Sequence, residues 1–126
     1  MSRYRKNLGD FGEAAAAEYL INHGYDIVEQ NFRTRFGEID IIAKHGQKLV
    51  FAEVKTRSSE KFGLPSEAVD RRKQSHMRLA AEEYFRENNC DCEVGFDVLE
   101  VGAAIADGVP ILFGINHIQD VLIDGG

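Results

Sequence analysis

The side chains of this sequence that could carry out chemistry lie in two short apolar segments, residues 37–43 (GEIDIIA) and 49–57 (LVFAEVKTR). The charged residues in them are Glu38, Asp40, Glu53 and Lys55. Alternate residues of a strand project from the same face, so each segment predicts two charged side chains beside each other. If the two strands pair, three carboxylates meet one ammonium, and carboxylate oxygens are preferred ligands of hard cations such as Mg²⁺ or Mn²⁺. Metal-assisted cleavage of a phosphodiester needs such a site.

Asp40 and Glu53 are the carboxylates that we expect to bind the cation. Mg²⁺ takes an octahedral shell of oxygens at about 2.1 Å and keeps several waters, so two carboxylates, the backbone carbonyl of Val54 and the scissile phosphate would suffice. Lys55 lies two residues after Glu53, about 6.6 Å along the strand, where its ammonium could orient or help to deprotonate the attacking water. Glu38 is expected either to contact these ligands without binding the cation itself or to bind the cation as an alternative ligand.

An amphipathic hairpin gives a plainer interpretation of the same residues. Glu38 and Glu53 would then be ordinary carboxylates on the solvent face, and Lys55 would be their ion-pair partner across the strands. A metal site and a salt-bridged surface are therefore both compatible with the two segments.

Local patterns predict the elements that would position these residues. The alanine run at 14–17 favours a helix from Leu8 to His23, with Gly24 as its left-handed end. A second helix is predicted from Pro65 to Asn88 or Asn89. The predicted strands cover 25–32, 37–44, 48–57, 93–101 and 111–118, and residues 102–110 are predicted to form a mobile turn. The order α-β-β-β-α-β-β predicts an α/β fold, a mixed five-stranded sheet flanked by helices.

Length and composition are those of one soluble domain. The chain has 126 residues, of which 44% are hydrophobic and 29% charged, and this fits a single domain over 1–126. No apolar run approaches the roughly 20 residues of a membrane span. The basic N-terminus also lacks the apolar segment of a secretory signal. We therefore expect a cytoplasmic protein that has no membrane partner, with mobile residues at 1–7 and 119–126.

Cysteine and histidine form no pattern that predicts a metal site or a nucleophile. Cys90 and Cys92 make a C-x-C pair, which supplies half of the ligands that zinc needs, and we predict free thiols. The four histidines are scattered and are predicted to be surface or structural residues: His23, His45, His76 and His117. The serines lack the sequence context of a serine hydrolase nucleophile.

The net charge of −6 is unevenly distributed. Residues 36–80 hold nine basic and six acidic side chains, whereas residues 81–126 hold one basic and ten acidic. The basic residues that follow the acidic segments are candidates for contact with nucleic acid: Arg57, Lys61, Arg71, Arg72, Lys73 and Arg78. They are few, so the expected binding is modest and sensitive to salt. A solubilising helix face is the alternative interpretation of this run.

Five segments in order resemble one known family: GE at 12–13, GYDIVEQNFR at 24–33, GEIDIIA at 37–43, LVFAEVKTR at 49–57 and FDVLEV at 96–101. They look like the YraN-like family of bacterial proteins, which by resemblance belongs to the PD-(D/E)xK nuclease superfamily, near the archaeal Holliday-junction resolvases. The D-x(n)-ExK pattern alone is loose, and the ordered set of five is more specific. The resemblance covers nearly the whole chain and implies a single restriction-endonuclease-like domain whose central hairpin carries the site.

The resemblance also implies residue roles and a substrate class. Glu13 on the first helix would complete the metal shell through water, and Gln74 is similar to a glutamine of some superfamily members, which adds it to the candidate nucleic-acid contacts. The implied activity is Mg²⁺- or Mn²⁺-dependent endonuclease cleavage of DNA, including branched or flapped structures, with Asp40, Glu53 and Lys55 as catalytic residues. The resolvases supply the expectation of a homodimer.

Two other functions are compatible with the sequence. A non-catalytic nucleic-acid-binding or protein-interaction module that retains the nuclease fold agrees with the acidic character of the chain. The intact set of Asp40, Glu53 and Lys55 speaks against that module. RNA processing by the same site is the second alternative, because nothing in the sequence would sense a 2′-hydroxyl.

Overall fold

The elements of the structure follow the order predicted from the sequence. The computed structural model describes residues 3–63, 71–89 and 91–121. Its elements are α1 (Arg3–Asn22), β1 (Asp26–Thr34), β2 (Gly37–His45), β3 (Lys48–Arg57), α2 (Arg71–Glu87), β4 (Glu93–Ala106) and β5 (Val109–Ile118). The predicted α/β class and the order α-β-β-β-α-β-β are confirmed.

The five strands form one mixed sheet in the order β1-β2-β3-β4-β5. β1, β2 and β3 are antiparallel neighbours, β3 and β4 run parallel, and β5 returns antiparallel to β4. Parallel neighbours need a crossover connection, and the segment that contains α2 provides it. This strand order supports the restriction-endonuclease-like fold.

The two helices pack against opposite faces of the sheet. The cluster under α1 includes Leu20, Ile41, Val50 and Leu99, and the cluster under α2 includes Phe32, Ile42, Phe51 and Tyr84. Consecutive strand residues point to opposite faces, which is why Ile41 and Ile42 belong to different clusters. Full burial of one such side chain stabilises the fold by about 1.5–3 kcal/mol, so these clusters fix both helices on the sheet.

The regular alternation of β2 is interrupted at Asp40. Ile39 packs in the α2 cluster and Ile41 in the α1 cluster, although residues two apart in a regular strand share a face. On β1, the residue between the partners of Ile39 and Ile41 is Asn31, which has a positive φ of 54°. The pairing of β2 with β3 also extends only as far as Ile41 and Ala52. Asp40 therefore lies at a local irregularity where β2 leaves β3.

The prediction of a mobile turn over 102–110 is wrong, because both strands continue through this segment. β4 extends to Ala106 and pairs there with Val109, the first residue of β5. Asp107 and Gly108 link the strands with positive φ values of 51° and 76°, as a two-residue type I′ hairpin requires. The Asp-Gly dipeptide was the sequence signal for this hairpin, and the alanines and glycines around it resembled a loop.

The helix boundaries differ from the predicted ones in part. α1 begins at Arg3 instead of Leu8 and ends at Asn22, and Gly24 has the predicted left-handed conformation, with a φ of 88°. Pro65, the predicted start of the second helix, lies outside the described residues, and α2 is described from Arg71 to Glu87. No helix in the described part of the chain is long and apolar enough to cross a membrane.

The segment after β5 is attached to β4. The backbone N–H of Asp120 donates to Asp97 Oδ1 at 3.0 Å, and that of Val121 donates to the carbonyl of Phe96 at 2.7 Å. Lys48 on β3 forms an ion pair with the Asp120 carboxylate. The remaining residues of the predicted mobile tail, 122–126, lie outside the described residues, as do residues 1 and 2.

Cys92 is disulfide-bonded, so the prediction of a free thiol is wrong for this residue. The other cysteine of the sequence, Cys90, lies outside the described residues. The prediction of free thiols rested on ring size, because a disulfide between cysteines separated by one residue closes a small ring.

Candidate active site

Asp40 receives a backbone hydrogen bond at the point where β2 and β3 separate. The N–H of Val54 donates to Asp40 Oδ2 at 2.8 Å. The pairing of the two strands ends at Ile41 and Ala52, so the carboxylate satisfies a strand N–H beyond the last paired residues. This bond fixes the side chain of Asp40 beside the backbone of the residue that follows Glu53.

Three other carboxylates act electrostatically on Asp40. The pKa of Asp40 is raised from 3.8 to about 7, first by burial and then by the negative charges of Glu13, Glu53 and Glu38, against the lowering effect of the Val54 N–H. Glu13, on α1, has a pKa raised first by burial and then by the charges of Glu38 and Asp10. Acids from α1, β2 and β3 thus act on one another electrostatically, and we call this set the acid cluster: Glu13, Glu38, Asp40 and Glu53.

Glu53 carries an oxygen that has no hydrogen-bond partner in the described structure. Its Oε1 lies 3.2 Å from Nζ of Lys73 on α2, whereas its Oε2 is buried and unpartnered among the described residues. A buried acceptor without a partner is unfavourable by about 1–3 kcal/mol, and more when the group is charged. A cation at this oxygen would remove the penalty, so the donor set of Glu53 and Asp40 fits a hard divalent ion.

The described side chains do not enclose a metal by themselves. Within residues 3–63, 71–89 and 91–121, no group of three or more His, Cys, Asp or Glu side chains is close enough to hold a metal ion. A cation in the acid cluster would therefore need water or substrate oxygens in addition to protein ligands, which is the ordinary behaviour of Mg²⁺.

Gly12 explains how α1 brings Glu13 to the sheet. A Cβ at this position would collide with the hydroxyl of Thr56 on β3, so the absence of a side chain permits close approach of helix and strand. Glu13 follows directly and lies beside Val54 and Thr56 in the wall of a cavity. The role of Glu13 was predicted from the family resemblance alone. The close packing of α1 on β3 at Gly12 explains physically why Glu13 lies near the sheet.

Glu38 has a partner of its own. Its Oε2 accepts a hydrogen bond from Nε of Arg33 on β1 at 2.8 Å. The pair is on the exposed side of the hairpin, since the Arg33 side chain is 83% exposed. Glu38 thus contributes negative charge to the acid cluster while one of its oxygens is bound to Arg33.

The residues predicted to contact nucleic acid differ in their surroundings. Arg57 lies 3.7 Å from the buried carboxylate of Glu100, and Lys73 is paired with Glu53. Lys61 and Arg72 are exposed. Gln74 and Arg78 are half-buried and make contacts with neighbouring groups. The side chain of Arg71 lies outside the described residues. Lys55 is half-buried on β3 and also has a partner.

A second set of polar residues, under α1, was not anticipated. Asp97 and His117 are almost fully buried, and His117 Nε2 donates to Asp97 Oδ2 at 2.7 Å. His117 Nδ1 lies 3.3 Å from the Tyr19 hydroxyl, so β4, β5 and α1 are joined by one chain of hydrogen bonds, the Asp97–His117–Tyr19 chain. The signal available in the sequence was an aspartate inside the apolar segment 96–101. His117 is structural, as predicted, but it is not isolated, because its ring packs edge-on against Tyr19.

Comparison with known proteins identifies relatives along most of the chain. The model of the family described as "Uncharacterised protein family UPF0102" matches residues 12–101, a range that contains Glu13, Asp40 and Glu53. A UPF0102 protein of Caldicellulosiruptor bescii is 48% identical over 118 residues, which cover 91% of this chain and 96% of that relative. UPF0102 proteins of Alkaliphilus oremlandii and Chlorobium chlorochromatii are 44% and 45% identical, covering 91% and 90% of this chain and 97% and 88% of their own lengths. The chain therefore belongs to the UPF0102 family.

Proposed function

We propose that this protein is a divalent-metal-dependent endonuclease of the PD-(D/E)xK superfamily, in its YraN-like branch, that hydrolyses phosphodiester bonds in DNA, including branched or flapped structures. The observation that carries the proposal is the buried Oε2 of Glu53 in the acid cluster, which has no hydrogen-bond partner among the described residues. Four carboxylates brought together on a helix and two strands repel one another, and such an arrangement is typical of sites that bind a cation or transfer protons.

Asp40 and Glu53 would hold Mg²⁺ or Mn²⁺, with the backbone carbonyl of Val54 as a further ligand and Glu13 acting through water. The ion would supply charge neutralisation for the scissile phosphate and acidify the attacking water. The protein side chains would do the rest. Lys73 neutralises one oxygen of Glu53 at 3.2 Å and so orients the carboxylate, which leaves the second oxygen available.

Lys55 is the proposed proton-handling residue. It lies two residues after Glu53 on β3, in the half-buried part of the strand. A lysine near the acid cluster would orient the attacking water as an ammonium or accept its proton as a neutral amine, and such general acid–base assistance is worth about 10²–10⁴-fold in rate. Its role differs from that of the ligands, so variants can separate the two.

Recognition of DNA shape suits this chain better than readout of base sequence. The described elements consist of one sheet and two helices, and the exposed basic candidates Lys61 and Arg72 are suited to phosphate contacts. Phosphate contacts position a protein on nucleic acid without reading its sequence. A homodimer acting on two strands is part of this proposal through the likeness to the resolvases.

A non-catalytic nucleic-acid-binding or protein-interaction module is the second candidate. Two observations favour it: Arg57 and Lys73 are paired with acids of the same chain, and apolar side chains are exposed on the edge strand β5, at Val109, Ile111, Leu112 and Phe113. The orphaned oxygen of Glu53 favours the nuclease, because an interaction module has no use for it.

Cleavage of a DNA panel tests the nuclease directly. Linear duplex, flap, single-stranded and four-way substrates are incubated with Mn²⁺ and the wild type, Asp40→Ala, Glu53→Ala or Glu13→Ala. Glu18→Ala is the matched control, because Glu18 is an exposed acid on the same helix as Glu13. Cleavage by the wild type and the control but not by the first two variants supports the proposal. Equal cleavage by Asp40→Ala would point to a contaminating nuclease, and no cleavage of any substrate would favour the interaction module.

Calorimetric Mn²⁺ titration separates Lys55 from the ligands. Asp40→Ala and Glu53→Ala should lose metal affinity and cleavage together. Lys55→Ala should keep its metal affinity, since removal of an ammonium reduces repulsion of the ion, while cleavage falls by about 10²–10⁴-fold. Lys55→Arg should restore little, because the guanidinium stays charged and has a different shape. Wild-type cleavage by Lys55→Ala would reduce Lys55 to an ion-pair partner.

Binding to DNA at increasing salt tests the basic contacts. Affinity should fall steeply between low and physiological salt, and Arg72→Glu should weaken binding equally for all sequences. Arg86→Glu is the control, since Arg86 is an exposed arginine at the opposite end of α2. If Arg72→Glu and Arg86→Glu behave alike, the start of α2 is not part of the nucleic-acid face.

A further inference from the structure

A cavity of about 650 Å³ opens beside the acid cluster on the α1 face of the sheet. Its volume is within the roughly 300–1,000 Å³ that is usual for small-molecule sites. The residues on which the following argument depends are Leu8, Glu13, Val54, Thr56, Ser58 and Ala104. They belong to α1, to the end of β3 with the loop after it, and to β4.

One residue of the acid cluster, Glu13, lines the cavity, and a second lining residue, Val54, contacts the cluster. Glu13 lines the cavity and acts on the charge state of Asp40, and Val54 lines it and donates its N–H to Asp40. A group that occupies the cavity therefore lies next to the proposed cleavage site. The space exists because small residues, Gly9 on α1 and Ala103 with Ala104 on β4, face it.

The walls of the cavity combine apolar surface with hydroxyl groups. Leu8, Val54 and Ala104 offer aliphatic contacts to the flat face of an aromatic ring. Thr56 and Ser58 bring hydroxyls, which can donate to or accept from the edge of a base or the hydroxyl of a sugar. Apolar contact with a ring face and hydrogen bonds to its edge are the features by which proteins hold an unstacked base.

The charges of the cavity decide which part of a nucleotide enters. Glu13, Glu60 and Arg57 line it, and Arg57 lies 3.7 Å from the carboxylate of Glu100, so the unbalanced charge of the cavity is negative and a phosphate inside would be repelled. A neutral base has no such repulsion, and its phosphate would stay at the mouth, where a cation held by Asp40 and Glu53 would neutralise it. We propose that this cavity is a subsite for one unstacked base next to the scissile phosphate, so that the preferred substrate is a single-stranded DNA segment. The inference rests on the proposed function in taking DNA as the ligand.

The selectivity follows from base stacking. A base inside a duplex is paired and stacked on both sides, and its removal requires unstacking and unpairing, which is easiest when the strand is already single. Flaps, frayed ends and single-stranded segments should therefore fill the cavity, whereas intact duplex should bind outside it.

The test measures the equilibrium binding of a short oligonucleotide that contains one 2-aminopurine. Binding is monitored through the fluorescence of that base in the presence of Ca²⁺. Ala104→Phe fills the cavity, and Ala106→Phe, at an exposed position on the same strand, is its control. Ala104→Phe should lower affinity for the single strand roughly tenfold or more, since contacts to the base are lost, and leave duplex affinity within about twofold. The control should change neither. Ser59→Phe, on the exposed loop at the cavity wall, repeats the test if Ala104→Phe does not fold.

Failure of the subsite and failure of the nuclease give different results. If the filled variants bind single strand as the wild type does, or lose single strand and duplex equally, the subsite is wrong, even when Mn²⁺-dependent cleavage occurs. If no DNA is cleaved but the filled variants lose single-strand binding selectively, the subsite stands and the catalytic proposal fails.

Discussion

Asp97 is buried and Asp40 is half-buried on strands of the same sheet, and the two differ in what surrounds their oxygens. Asp97 Oδ2 accepts from His117 Nε2 at 2.7 Å and its Oδ1 accepts from the N–H of Asp120 at 3.0 Å. Asp40 accepts one N–H, from Val54, and otherwise faces the charges of three carboxylates. Both oxygens of Asp97 thus accept hydrogen bonds, whereas Asp40 is held near other negative charges that repel it.

This difference separates stabilising polar groups from groups kept for function. A fully bonded buried carboxylate joins elements together, here β4, β5 and α1. Carboxylates that repel one another, with a buried oxygen left unpartnered on Glu53, lower stability and persist where binding or catalysis requires them. Substitutions at the two places should therefore have opposite profiles.

Asp40→Asn gives the largest expected effect, and it falls on activity. The amide oxygen can still accept the Val54 N–H, but the negative charge that would hold the cation is lost. Cleavage should fall roughly 10³-fold, because the ion contributes several kcal/mol to the transition state and each 1.4 kcal/mol is tenfold in rate. Thermal unfolding should show equal or higher stability, since repulsion within the acid cluster decreases.

The control for this prediction is Asp26→Asn, at an exposed position on β1. It should change neither cleavage nor stability measurably. An Asp40→Asn protein that unfolds more easily than the wild type would show that Asp40 is a structural residue like Asp97.

Asp97→Ala should have the reverse profile, with the effect on stability. It leaves His117 and the N–H of Asp120 without their acceptor in the interior. A buried donor left without its acceptor typically destabilises the fold by about 1–3 kcal/mol, a large part of the total for a domain of this size. Urea unfolding measures the loss, and Asp97→Asn should lose less because one acceptor remains. Mn²⁺ affinity per folded molecule should stay unchanged, and a selective loss of it would contradict the separation of the two regions.

The pH dependence of stability offers a third test of the difference. In the folded protein the pKa of Asp40 is raised from 3.8 to about 7, so between these values the folded state holds a proton that the unfolded state has released. Stability should therefore fall as pH rises from about 4 to about 7 and level off above that. The loss amounts to a few kcal/mol, since each tenfold change in proton affinity corresponds to about 1.4 kcal/mol. Wild type minus Asp40→Asn isolates this slope, and a flat difference curve would contradict it.

The sequence predicted the fold well because its signals were local and strong. Alternating and continuous apolar runs placed β2 and β3, and the alanine-rich segment before Gly24 placed α1. The failure at 102–110 has a physical reason, since small residues at a hairpin resemble a loop until the positive φ of Asp107 and Gly108 is known. The pairing of β4 with β5 shows that both strands continue to the hairpin, which the periodicity of the sequence alone does not indicate.

The candidate site was predicted in its residues but not in its contacts. The acids of β2 and β3 were recognised from their strand-like segments, but the interruption of the β2 alternation at Asp40 was not. The pairs Lys73 with Glu53 and Arg57 with Glu100 join residues far apart in the chain. No local pattern encodes such contacts. The same holds for His117, whose partner Asp97 is 20 positions away.

Glu38→Gln is the smallest expected effect, and it sharpens the comparison within the acid cluster itself. Glu38 resembles Asp97 in having a donor, Arg33 at 2.8 Å, whereas Glu53 resembles Asp40 in lacking full satisfaction. If a carboxylate that already has a hydrogen-bond donor does not bind the cation, Glu38→Gln should change Mn²⁺ affinity by less than about tenfold, through the loss of one nearby charge. The free energy of unfolding should change by less than about 1 kcal/mol, as for an exposed ion pair. Glu53→Gln should abolish Mn²⁺ binding in the same calorimetric titration. Arg33→Gln, which releases Glu38 from its partner, should raise Mn²⁺ affinity slightly. Equal losses of affinity in Glu38→Gln and Glu53→Gln would make Glu38 a ligand and show that a hydrogen-bonded carboxylate in this cluster is as available to a cation as an unpartnered one.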